Sequence, residues 1–185
     1  MPKPSPSWLN QARTAWQHRG TRRPGFAQPP QPGQESVWDY PRPPALVADQ
    51  REVVVYAGHI EIARSRRSYR VLETASPPTF YLPPEEVDTQ WLTLSPSARS
   101  FCEWKGEARY WLLASRESAE PVAWTYPAPY DEFAPLAGYF AFYPGRVSCQ
   151  VEGETVRPQS GGFYGGWVTD DIVGPFKGEP GTSGW

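Results

Sequence analysis

The chain has 185 residues, 39% of them hydrophobic, with 23 prolines, 16 glycines and 9 tryptophans, a net charge of −2 and a pI near 5.7. So many breakers exclude long helices and predict short strands joined by turns, with rings rather than aliphatic side chains filling the core. The near-neutral charge excludes a global attraction to nucleic acid or acidic membranes, and there is neither a bilayer-spanning apolar run nor a signal-peptide pattern, so a soluble, cytoplasmic protein is expected.

Residues 1–34 read as a Pro-rich, basic arm and linker, in which Lys3, Arg13, Arg19, Arg22 and Arg23 meet no acidic residue. Trp8, Ala12 and Trp16 recur at four-residue spacing, which predicts one face of a short helix starting near Ser7. Such a helix is marginal alone. The arm is therefore expected to be a partly disordered tail, dispensable for folding, unless it docks on the domain or on a protein partner.

A β-domain is expected over residues 35–151. Val53–Tyr56 and Ile60–Ala63 read as strands around a turn at residues 57–59, with His59 a solvated turn residue. A basic run follows, Arg64, Arg66, Arg67 and Arg70 with Tyr69 inside it. A loop and strand edge account for that run, and nucleic acid is the weaker reading. From Ser68 to Glu73 the alternation sets Tyr69, Val71 and Glu73 on one side, so a buried Glu73 needs a cation or donors. Short strands are predicted again at Thr79–Leu82 and at Trp91, Thr93 and Leu94.

The centre of the chain carries two aromatic runs, Ala108–Leu113 and Val122–Tyr126, separated by a polar loop from Ala114 to Pro121. Folded symmetrically about that loop, they set Trp111 opposite Trp124, Leu113 opposite Val122 and Arg109 opposite Tyr126, giving one face two Trp, a Tyr and an Arg. Leu136–Tyr143 and Val147–Val151 are two more apolar segments around a Pro144-Gly145 turn. Residues 152–185, with GGFYGGW, GPFKG and GTSGW, read as a strap whose rings plug gaps on the domain. A phosphate loop there lacks a following helix signal, and Lys177 is badly placed for one.

Cys102 and Cys149 form no C-x-x-C, and His18 and His59 stand apart, so a closed zinc site cannot be assembled from one chain. The G-x-S-x-G, G-x-x-x-x-G-K-[ST] and G-x-G-x-x-G patterns are also absent, and no metal or cofactor is implied.

The words ESVWDYPRPP, RVLETASPPTFYLPPEEV, FCEWKGEARYW, AWTYPAP and AGYFAFY resemble those of the family named domain of unknown function 427, and the tail resembles that of its longer members. The resemblance implies a compact, mainly antiparallel β-tent, the fold of methionine sulfoxide reductase B and of the thalidomide-binding domain of cereblon. The family is sometimes titled nucleotidyltransferase-like, but no Asp-x-Asp pair after a Gly-Ser turn supports that activity here. Its matching positions with chemical potential are Arg70, Glu73, Tyr81, Cys102, Lys105, Trp111, Trp124 and Tyr126.

Three readings follow. The first is a small-molecule site walled by Tyr81, Trp111, Trp124 and Tyr126, with Arg70 or Glu73 orienting a polar group. The second is an enzyme using Cys102, with Lys105 and Glu73 as its partners. The third is an interaction module in which the N-terminal arm and the C-terminal strap hold a protein.

Overall fold

Strands of two to eight residues, and one of eleven, carry the fold in this computed structural model, which describes residues 6–114 and 120–185. The protein is mainly β, an assembly of several small, mostly antiparallel sheets, none of which closes into a barrel among the described residues. One four-stranded sheet runs in the order Phe140–Phe142, Ala123–Thr125, Gly106–Leu113, Leu92–Cys102. A second has the order Glu154–Thr155, Ser148–Val151, Val53–Ala57, Ile60–Ser65, and a three-stranded sheet pairs Ala45–Asp49, Ser68–Leu72 and Thr79–Tyr81. The three-stranded sheet is stitched to the first by a pair of backbone hydrogen bonds between Leu82 and Phe140, at 2.8 and 2.9 Å.

Local chemistry accounts for much of this. The β-branched run Val53-Val54-Val55 forms a buried inner strand, and Gly58 supplies the positive φ that turns the chain into Ile60–Ser65. Leu92–Cys102 accommodates Pro96 because it is an edge strand whose pairing is interrupted between Leu94 and Arg99. Of the predicted Leu136–Tyr143 segment only Phe140–Phe142 is a strand, while Asp131–Leu136 forms 3-10 turns.

Two expectations are corrected by packing. The central strands pair Arg109 with Thr125, Tyr110 with Trp124 and Trp111 with Ala123, one residue away from the symmetric register. A one-residue slip reverses every side chain, so Trp111 and Trp124 lie on opposite faces rather than side by side. Each face has its own core to fill. Trp111 packs beside Phe140, at 5.1 Å between ring centroids, and Trp124 beside Tyr143, at 4.6 Å. Most of the polar loop that was to set the register, residues 115–119, lies outside the described residues.

The second correction concerns the arm. The expected helix forms at Leu9–Thr14, but Leu9 is its buried residue, while Trp8 is exposed and stacks on Phe101. Further on, His18 and Phe26 pack edge-on against the fully buried Trp38, and Trp185 from the far end of the chain joins them. Arm and strap thus complete a third hydrophobic cluster around Val37, Trp38, Tyr40 and Ile172. The strap also sends Trp167 into the main core, stacked on Phe80 at 4.9 Å with its Nε1–H donating to Phe142 O.

Candidate functional site

The hairpin that joins Leu92–Cys102 to Gly106–Leu113 ends in a three-residue tip, Glu103-Trp104-Lys105. Cys102 and Gly106 are its last paired residues, and Gly106 has a φ of +97° that few side chains tolerate. This tip curls over a cavity of about 240 Å³ and presents Cys102, Glu103, Trp104 and Lys105 to it. The opposite walls are Val71 and Glu73, Tyr81, Trp124 and Tyr126. Trp16 from the arm and Gln159, Tyr164 and Lys177 from the strap close the rim. Gly165 is required there, since a methyl group at that position would overlap the Trp124 ring.

The charged residues are unusually deep. Lys105 and Lys177 are 7% and 4% exposed, and among the described residues no carboxylate lies within ion-pair distance of either. Burial disfavours the Lys105 ammonium, but Cys102, Tyr81 and Glu73 around it outweigh that penalty and hold its pKa above the usual lysine value. Lys177 goes the other way: burial dominates, Arg42 adds to it, and the pKa falls to about 8 despite Glu73 and Glu103. Burial pushes the Tyr81 hydroxyl up to about 12, and that of Tyr126 well above its ordinary value.

Glu73, partly buried, finds a cation. Arg42, itself buried, donates to Glu73 Oε1 at 3.2 Å and to the carbonyls of His18 and Thr74 at 2.8 Å each. Its guanidinium also lies 4.5 Å from the Trp16 ring, the ring that Lys177 Nζ approaches to 3.6 Å. The Trp16 indole in turn donates to Glu103 Oε1 at 3.1 Å. Trp16 therefore ties the arm to the hairpin tip, to Arg42 and to the strap. Trp124 Nε1–H donates to the Tyr81 hydroxyl at 3.3 Å, which fixes two rings of the wall. Among the described residues the buried Trp104 Nε1–H has no acceptor.

Of the residues singled out from the sequence, Glu73, Tyr81, Cys102, Lys105, Trp124 and Tyr126 surround this one cavity. Arg70 and Trp111 do not. Arg70 points to the other side of its strand and binds Glu35 at 3.1 Å and Asp49 at 2.9 Å. Trp111 is on the reverse of the central sheet, its Nε1–H donating to Thr125 Oγ1. The neighbouring basic run is neutralised in the same manner. Arg64 and Arg66 pair with Glu52, and Arg67 with Glu85 and Glu86. Sequence reasoning missed Trp16, Glu103, Tyr143 and Lys177. One signal was available: only three of the 18 basic residues are lysines, Lys3, Lys105 and Lys177, and two of them line the cavity.

Among the described residues no three of His, Cys, Asp and Glu converge as a metal site, and no helix is long and apolar enough to cross a membrane. The family described as domain of unknown function (DUF427) matches residues 45–153, more than half of the chain. The chain belongs to that family. The family region contributes the hairpin tip and the aromatic walls, whereas Trp16, Arg42, Gln159 and Lys177 lie outside it. Comparison with curated proteins gives no match.

Proposed function

We propose that the cavity binds a small organic anion of roughly ten non-hydrogen atoms, scaling from the ~150 Å³ void that accepts a benzene ring. The observation that carries this reading is the pair of buried lysines, without carboxylate partners among the described residues, on a wall rich in aromatic rings. Aromatic walls alone would suit a cation. Arg42 already pairs with Glu73, so among the described residues of the cavity Lys105 and Lys177 are left against Glu103, and the balance favours a negative ligand. The two free thiols suit a reducing compartment, and on that ground we assign the protein to the cytoplasm.

Charge sign supplies the test. Benzoate and benzylammonium are nearly isosteric, and benzoate is expected to raise the thermal midpoint while benzylammonium does not. An anion at about 100 times its Kd adds about 2.7 kcal/mol, a shift of several degrees for a chain of this size. Lys105→Met should remove most of that shift. Tryptophan fluorescence should respond to benzoate through Trp16, Trp104 and Trp124, so Trp124→Phe reduces the response and Trp111→Phe leaves it unchanged. Stabilisation by benzylammonium, or by none of a panel of small carboxylates, would overturn the reading.

The hairpin tip favours a second reading, because it brings Lys105 and the Tyr126 hydroxyl to the Cys102 sulfur, with Glu73 in the same wall. A cysteine sulfur so placed can serve as a nucleophile. Iodoacetamide is expected to label the half-buried Cys102 well ahead of Cys149, whose thiol is enclosed in the main core and pushed well up in pKa by burial. Benzoate should slow that labelling. If both cysteines react only as the protein unfolds, Cys102 has no such role.

A further inference from the structure

Lys177 is held as few lysines are. Its backbone N–H donates to Ala75 O at 2.7 Å, and its carbonyl accepts from Gln159 Nε2 at 2.6 Å. Gln159 is anchored in turn by the Gly166 N–H, which donates to its Oε1 at 3.1 Å. The side chain runs into the cavity between rings, with Nζ 3.6 Å from the centre of Trp16 and 5.4 Å from that of Tyr164. The charged groups that face it are Glu73 and Glu103, neither within ion-pair distance, and Arg42, whose permanent charge shares the Trp16 ring. Lys177 is thus surrounded by rings, a nearby cation and an enclosed space.

We infer that Lys177 is a nucleophile of the cavity and forms an imine with a small aldehyde or ketone whose anionic group is held by Lys105. This rests on the reading of the cavity as an anion site. The neutral amine attacks the carbonyl carbon, a C–N bond forms, and a proton passes from nitrogen to oxygen to give a carbinolamine. Loss of the hydroxyl as water then leaves the C=N bond, with no oxidant or reductant needed. Glu73 and Tyr164 are the cavity groups on hand to relay the protons. With a pKa of about 8, roughly a tenth of Lys177 is neutral at pH 7, against well under a thousandth for an ordinary lysine near ~10.4. The cation–π contact with Trp16 opposes deprotonation, but it equally steadies the iminium that forms.

The scarcity of lysines makes the test clean, because Lys3, Lys105, Lys177 and the α-amino group are the only amines that can compete. The full chain is incubated with glyoxylate and cyanoborohydride, and reduced adducts are mapped by peptide mass spectrometry. Lys177 is expected to carry the adduct at least tenfold faster than Lys3. Lys177→Arg keeps the charge and should abolish it, while Lys105→Met should slow it with glyoxylate but not with propionaldehyde, which has no anionic group. Modification spread evenly over the amines, or confined to Lys3 and the α-amino group, overturns the proposal even if Lys177→Arg fails to fold. Glycolate, which has the charge without the carbonyl, separates the two readings. Protection of the cavity by glycolate with no Lys177 adduct from glyoxylate leaves the anion site and removes the imine. A Lys177 adduct from propionaldehyde, with no effect of Lys105→Met on glyoxylate, overturns the role given to Lys105.

Discussion

A chain beginning at Gln34 is expected to melt about 10 °C below the full-length protein, the shift that a loss of roughly 3 kcal/mol produces in a chain of this size. The sequence alone argues for the opposite outcome, a tail that can be removed without effect. The loss arises at three places. Leu9 is fully buried, and emptying such a site removes about 2–5 kcal/mol by itself. Trp16 leaves behind Arg42, Glu103 and Lys177, three charged side chains that lose the indole they share. His18 and Phe26 uncover Trp38. Partial relaxation and the disorder regained by the arm reduce the sum to the stated figure. Trp8→Ala serves as the control, since that ring is two-thirds exposed and its removal should change the midpoint by less than a degree or two. A truncated chain that melts within a couple of degrees of the intact one would show that the arm is only draped over the domain.

The strap should be still less dispensable. Trp167→Ala is expected to destabilise by about 3–5 kcal/mol, enough to leave much of the protein unfolded at 37 °C if its total stability is in the usual range. The indole is completely buried among Phe80, Phe142 and the valines of the second sheet, and its Nε1–H satisfies the Phe142 carbonyl. Truncation opens a large void and leaves that carbonyl without its donor. Trp167→Phe refills most of the volume but cannot replace the hydrogen bond, so it should recover about half of the loss. Chemical denaturation of the two variants checks both figures. A loss under 1 kcal/mol for Trp167→Ala would mean that the strap is not part of the folded core. Both segments lie outside residues 45–153, so these experiments also decide whether the family region suffices as a folding unit in this chain.

The pattern of residues along the chain determined the fold class, most strand positions and half of the cavity. Alternation and β-branching are local properties, so Val53–Ala57, Ser68–Leu72 and Thr79–Tyr81 were legible, as was the face shared by Val71 and Glu73. The demand of Glu73 for a cation was legible too, though not that Arg42 would meet it. Cys102 and Lys105 could be suspected of meeting because only a short turn separates them.

What only the tertiary structure decided depends on choices between faces. The register of the central strands is one. Both registers bury aromatic rings, and the observed one wins by giving Trp111 to the main core and Trp124 to the cavity, a preference that no property of the two strands alone expresses. Arg70 is another, because its carboxylate partners come from other strands, Glu35 lying 35 residues away. The third is the rim. Trp16 and Lys177 are separated by most of the chain, and each looks like an ordinary member of a Pro- or Gly-rich segment until the fold sets one against the other. Burial lowers the pKa of Lys177 to about 8, and burial is a property of the assembled molecule that is carried by neither segment alone.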